Sequence, residues 1–141
     1  MTYARFSTSQ PASPIVGIDY QPGVCNIGPD EIRRRRQGGH VGLVATVILF
    51  AILVVVGAPP LARLLVALPA AMAASGYLQA RFKFCAGFAS KGVFNFGRVG
   101  ETHEVVDADA HARDRARARQ ITLASLAVGV AVGIVAVLLP L

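Results

Sequence analysis

Three long apolar runs, each bordered by basic residues, set the pattern of the chain. Val41–Ala58 carries no charged side chain, Leu61–Ala80 is interrupted only by Arg63 and Gln79, and Ile121–Leu141 is uncharged throughout. About 20 helical residues cross a hydrocarbon core about 30 Å thick, and backbone in lipid must bond internally. The pattern predicts an all-α membrane protein with three transmembrane helices, near residues 40–58, 61–80 and 120–139. Gly57-Ala58-Pro59-Pro60 is a tight turn, so the first two spans form an antiparallel hairpin. The first run begins only after forty more polar residues, and Pro59 follows its small-residue end, so it reads as an uncleaved span rather than a signal peptide.

The polar stretches complete the plan. Residues 1–39 form an N-terminal cytoplasmic arm: Met1–Val24 is Pro-, Ser-, Thr- and Gly-rich irregular chain. A short basic helix then starts at Pro29, with Asp30 and Glu31 in its first turn, and runs to about Gln37, where Gly38-Gly39 is expected to end or bend it. Residues 40–80 are the transmembrane hairpin. Residues 81–120 form a cytoplasmic interfacial loop followed by a charged helix from Asp107, with Asp109/Arg113 and His111/Arg115 at spacing four. No breaker separates that helix from the third span at 121–141, which predicts one long helix with a cytoplasmic extension.

Small residues mark the packing faces. Ala67, Ala71 and Ser75 stack at spacing four on the second span, as do Ser125, Gly129 and Gly133 on the third, which permits close backbone approach. Pro69 is expected to kink the second span. The first span is rich in Val and Ile after Ala45, as suits a lipid-facing helix.

Charge sets the orientation. The net charge is +6, and the cations cluster at one set of span ends: Arg33, Arg34, Arg35 and Arg36 before the first, Arg81, Lys83, Lys91 and Arg98 after the second, Arg113, Arg115, Arg117 and Arg119 before the third. Only Arg63 falls on the other side, where it is expected to snorkel. The positive-inside rule then places the N-terminus and the central loop in the cytoplasm of a bacterial inner membrane and the C-terminus outside. Arg33–Arg36, Arg81, Lys83, Lys91 and Arg98 are expected to face anionic headgroups or partner proteins, with the Phe residues of Arg81–Gly100 at the acyl boundary. A soluble chain this basic would suggest nucleic acid; beside three spans that reading is set aside.

Chemistry is sparse. Cys25 and Cys85 both fall on the basic side with His40, His103 and His111, so a mixed Cys/His metal site is arithmetically open. Neither CxxC nor HxxxH spacing supports it, and the thiols are expected to be independent and reduced. No phosphate loop, serine elbow or carboxylate pair is found, and the spans carry no acid, Lys or His at mid-depth, which argues against a proton pump or ion-coupled transporter. No cofactor is expected.

Asn26-Ile27-Gly28, Arg33–Arg36, Gly42, Gly76, Phe84-Cys85 and Gly92 together give a layout that resembles a small bacterial two-helix membrane hairpin family, also found fused to membrane rhodaneses. The resemblance covers about residues 25–97. The chain departs from that pattern in having Ala-Gly-Phe rather than Pro after Cys85, and in its third span; no rhodanese domain accompanies it. The absence of a catalytic set, together with small-residue faces and one-sided polar arms, leads to the expectation of a non-catalytic accessory subunit or assembly factor of a larger membrane complex, respiratory or photosynthetic. A thiol or metal protein using Cys25 and Cys85, and an autonomous scaffold on anionic lipid, are the alternatives.

Overall fold

The computed structural model describes residues 20–141; the irregular chain expected before Tyr20 lies outside the described residues. Helix α1 spans Pro29–Val55, a 3-10 segment covers Pro60–Val66, and α2 follows at Ala67–Phe82. A short α3, Ala86–Lys91, leads into a two-residue hairpin, β1 Val93–Phe94 against β2 His103–Glu104, antiparallel. Helix α4, Ala108–Leu138, closes the chain. All three long helical segments are long and apolar enough to cross a membrane.

Helix α1 runs unbroken for 27 residues, so Gly38-Gly39 does not end a short basic helix near Gln37. The reason is packing. A helix-interior glycine costs about 1 kcal/mol relative to alanine, and here the missing Cβ lets α2 come close. A Cβ on Gly42 would lie 2.7 Å from the Ala73 nitrogen, one on Gly76 2.5 Å from the Gly39 nitrogen, and one on Gly39 2.9 Å from the Tyr77 ring. The α1–α2 contact is therefore made by Gly39, Gly42, Ala73 and Gly76, a set that the spacing-four reading of α2 missed.

The second span is not one continuous α-helix. Its first turns are 3-10, and the change to α geometry falls at Ala67, just before Pro69. Pro69 thus sits in the first turn of α2, where a missing N–H costs least, rather than kinking a formed helix. Lys83 ends α2 in the left-handed conformation (φ 54°).

Helix α4 is continuous over 31 residues, with Asp107 as N-cap, its carboxylate accepting from the Asp109 N–H (3.2 Å). Ala110, Asp114, Ala118, Ile121, Ser125, Gly129, Gly133 and Ala136 form one buried stripe along it. Its membrane half is the small-residue seam, and the seam meets α2 of the same chain. A Cβ on Gly129 would lie 2.6 Å from the Ala67 carbonyl oxygen and 2.7 Å from the Ala71 Cβ; one on Gly133 would lie 3.2 Å from the Ala67 Cβ. Ser125 donates to the Ile121 carbonyl (2.8 Å). Ser75, third of the α2 set, accepts from the Gln79 amide (2.7 Å). The outward faces carry Val41, Val44, Val47, Leu68, Met72, Leu126 and Val130, all exposed as lipid-facing side chains should be.

At the apolar end Arg63 turns inward instead of snorkelling. It is 4 % exposed, and its two terminal nitrogens donate to the Leu139 (2.9 Å) and Leu141 (2.5 Å) carbonyls. Leu139 is the C-cap of α4 and Leu141 lies just beyond it, at the negative end of the helix dipole, where a guanidinium is favourably placed.

Candidate functional site

At the basic end, segments distant in sequence close into a cap. Its apolar centre is Phe84, Ala89, Ala118 and Ile121, with Leu78 and Ala86 against it. Its polar framework is four fully buried side chains: Asn26, Glu31, Asn95 and Asp114. A buried polar group without a partner costs about 1–3 kcal/mol, and the partners these four side chains find hold the cap together.

Asn26 ties the N-terminal chain to the end of α2. Its amide donates to the Cys85 carbonyl (3.0 Å), and its side-chain oxygen accepts from the Cys85 N–H (2.6 Å). Its own N–H donates to the Lys83 carbonyl (3.2 Å), and its carbonyl accepts from the Asn95 N–H (3.0 Å). The Asn95 amide donates to the Arg98 carbonyl (2.7 Å) and, at 3.4 Å, to Glu31. Residues 26–28 thus lie as an added strand between the α2–α3 junction and the β1 loop, with Ile27 bridging Asn95 in parallel.

Ahead of that strand, Gln21–Cys25 makes a tight turn that straps across α4. Asp114 receives the Tyr20 hydroxyl (2.6 Å) and the Gly23 N–H (2.7 Å), and the Tyr20 ring stacks on Phe94 (centroids 4.6 Å). Burial, and then the Asp114 carboxylate, push the Tyr20 hydroxyl far above its ordinary range.

The expected site residues separate into distinct places. Arg33, Arg34, Arg36, Arg81, Lys83, Lys91 and Arg98 are exposed on the cap. Arg35, grouped with them by the sequence, points inward: its Nη2 lies 3.6 Å from Glu31, one turn earlier, and donates to the Cys85 sulfur at 2.9 Å, with the guanidinium 5.7 Å from the Phe88 ring. A buried carboxylate on the same helix face draws it in. Arg117 covers Phe82 (4.5 Å) at the edge of the apolar zone.

The cysteine–histidine group is not assembled. Both thiols are free and buried. Cys25 donates to the Ile27 carbonyl (3.8 Å), and burial pushes its thiol up. His40 bonds Tyr77 (2.7 Å), His103 packs on Phe94 (centroids 5.5 Å), and His111 lies beneath Gly92. Among the described residues no three of His, Cys, Asp and Glu are grouped to hold a metal. Cys85 is the thiol that a guanidinium reaches, and no spacing rule points to it, since Arg35 lies 50 residues away.

Comparisons with protein-family models, with curated proteins and with solved structures return no match for the chain. The fold and the cap therefore stand on their own geometry: a multi-pass helical protein of the membrane type.

Proposed function

We propose that this protein is a non-catalytic accessory or assembly-stabilising subunit of a larger membrane complex, respiratory or photosynthetic in kind. In this reading it resides in a bacterial inner membrane with the cap in the cytoplasm and the C-terminus outside, the orientation that its one-sided cations favour. The resemblance of residues 25–97 to the two-helix membrane hairpin family is compatible with it.

One observation carries the reading. The basic end is a built platform, in which Asn26, Glu31, Asn95 and Asp114 fix a strap, a short helix and a hairpin onto the three spans. Anchoring a chain in lipid requires no such ordering, whose entropy cost is about 1–2 kcal/mol per residue. A shaped surface with exposed Arg33, Arg34, Arg36, Lys91 and Arg98 suits recognition of an acidic subunit face.

Purification of the tagged chain in several mild detergents, with native mass spectrometry, tests it. The expected result is co-migration with other membrane chains in fixed ratio, reduced when Arg33, Arg34 and Arg36 are changed together to Ser. A lone 14.8 kDa chain carrying only lipid, in cells whose membrane complexes are unchanged by its deletion, would refute the reading in favour of a lipid scaffold.

A further inference from the structure

Three cations from two helices converge on one side of the bundle. The Arg117 guanidinium lies 4.5 Å from the Phe82 ring, so the end of α2 meets α4 just above its apolar part. Arg113 precedes Arg117 by one turn on the same face of α4. The strap links that face to the end of α2. A Cβ on Gly23 would lie 3.3 Å from the Arg113 Cβ, and the Asn26 N–H donates to the Lys83 carbonyl (3.2 Å). The chain from Gly23 to Asn26 spans at most about 11 Å, so Arg113, Arg117 and Lys83 border one notch beside Phe82.

Among the described residues no acid pairs with this charge; the ion pairs are Arg33 with Asp30 and Arg35 with Glu31. The neighbouring carboxylate, Asp114, is buried and taken up by Tyr20 and Gly23. Arg117 donates from Nη1 to Gln120 (3.2 Å), and its Nε has no acceptor. Arg113 and Lys83 are exposed, and the Phe82 side chain is 39 % exposed.

Depth selects the partner. Arg117 stands four residues before Ile121, about 6 Å along the helix, and Lys83 stands three after Ala80, where the apolar run of α2 ends. The headgroup layer of a leaflet is about 5–8 Å thick. Arg113 starts about 12 Å from Ile121 and can extend its long side chain down to that layer. Three turns below Arg117, on the same face of α4, Val128 is exposed. A ligand placed here meets cations at one end and hydrocarbon at the other.

We infer that the notch binds an anionic phospholipid. Its phosphodiester sits between Lys83 and the open edge of Arg117, with Arg113 above and an acyl chain along Phe82 and Val128. Guanidinium and ammonium groups hold phosphate oxygens by charge-assisted hydrogen bonds, and basic pockets between membrane helices suit such headgroups. The inference rests on the membrane placement of α2 and α4 and not on the subunit reading, because it concerns the isolated chain and lipid.

The test is native mass spectrometry of the purified full chain in a non-ionic detergent, titrated with phosphatidylglycerol or phosphatidylcholine of the same acyl chains. The first phosphatidylglycerol should bind at least about tenfold more tightly than the first phosphatidylcholine. Lys83→Gln/Arg113→Gln changes two exposed residues and should remove most of that roughly tenfold preference. Arg115→Gln/Arg119→Gln takes the same charge from exposed positions of the same helix, about 200° round from Arg113 and Arg117. It should change the preference by less than about twofold, as expected for exposed charges screened from the notch. Inorganic phosphate at the same concentration should not displace the lipid, since it has no apolar part to bury. Equal binding of the two lipids, equal loss in the two double variants, or displacement by phosphate overturns the proposal.

Discussion

Replacing Gly42 by alanine tests the packing of the hairpin, and Gly38 in the same helix supplies the control. Each substitution removes one helix-interior glycine, so each gains the same intrinsic helix stability, about 1 kcal/mol. At Gly38 a Cβ meets nothing within 4 Å, and the gain should be retained in full. At Gly42 the Cβ would stand 2.7, 2.8 and 3.0 Å from the Ala73 nitrogen, Cα and Cβ. Carbon contacts are optimal only at about 3.5–4.0 Å, and a gap of about 0.5–1 Å forfeits a quarter to a half of a contact's attraction. Both partners are backbone-bound, so no flexible side chain can yield and α1 must move off α2. Overpacking of this kind costs about 1–3 kcal/mol. The helix gain cancels between the two variants, so Gly42→Ala should be less stable than Gly38→Ala by about that amount. Unfolding in mixed micelles by SDS titration, followed by circular dichroism, measures the difference. Equal stability of the two variants, within the ordinary additivity error of about 0.5 kcal/mol, would refute a glycine-mediated α1–α2 contact.

Four further outcomes follow from the same geometry. Gly129→Leu should disrupt the α2–α4 contact and lower stability well below that of Val130→Leu, whose side chain already faces outward; SDS titration of the pair reads it. Tyr20→Phe removes one of two donors to the buried Asp114 and should cost about 1–3 kcal/mol, seen as faster amide exchange in Gln21–Val24. Because the folded chain keeps the Tyr20 proton above the ordinary value of 10.0 while the unfolded chain loses it, the wild type should lose stability as pH rises past about 10, and the Tyr20→Phe variant should lose less. Reporter fusions at residue 100 and at the C-terminus should give cytoplasmic and external signals respectively, and the same signal from both would refute the orientation.

The plan of three long apolar helices was legible because it is written in local patterns. Three long apolar runs predict three spans, and α4 could be read as one helix because nothing between Asp107 and Leu138 breaks it. The Ser125-Gly129-Gly133 seam was legible for the same reason, although whether it met this chain or another was not. What escaped has no local period. Asn26 meets Cys85 across 59 residues, and Tyr20 meets Asp114 across 94. Arg35 looked like its neighbours Arg34 and Arg36, and only the buried Glu31 one turn earlier, with the distant Cys85, sets it apart. Gly38-Gly39 looked like a helix stop because the partner that offsets the cost, Gly76, lies in another span.

The cap also constrains the order in which the protein can be completed. Its walls come from three stages of synthesis: the strap from the first residues described, the Lys83–Asn95 stretch from the middle, and the Asp114 anchor from the start of the last helix. A nascent chain that has inserted only its first hairpin holds Asn26 and Asn95 but has no Asp114 to receive the strap. The Tyr20 hydroxyl and the Gly23 N–H therefore lack their acceptor until α4 is made, so the strap is the last part of the cap that can be fixed in place.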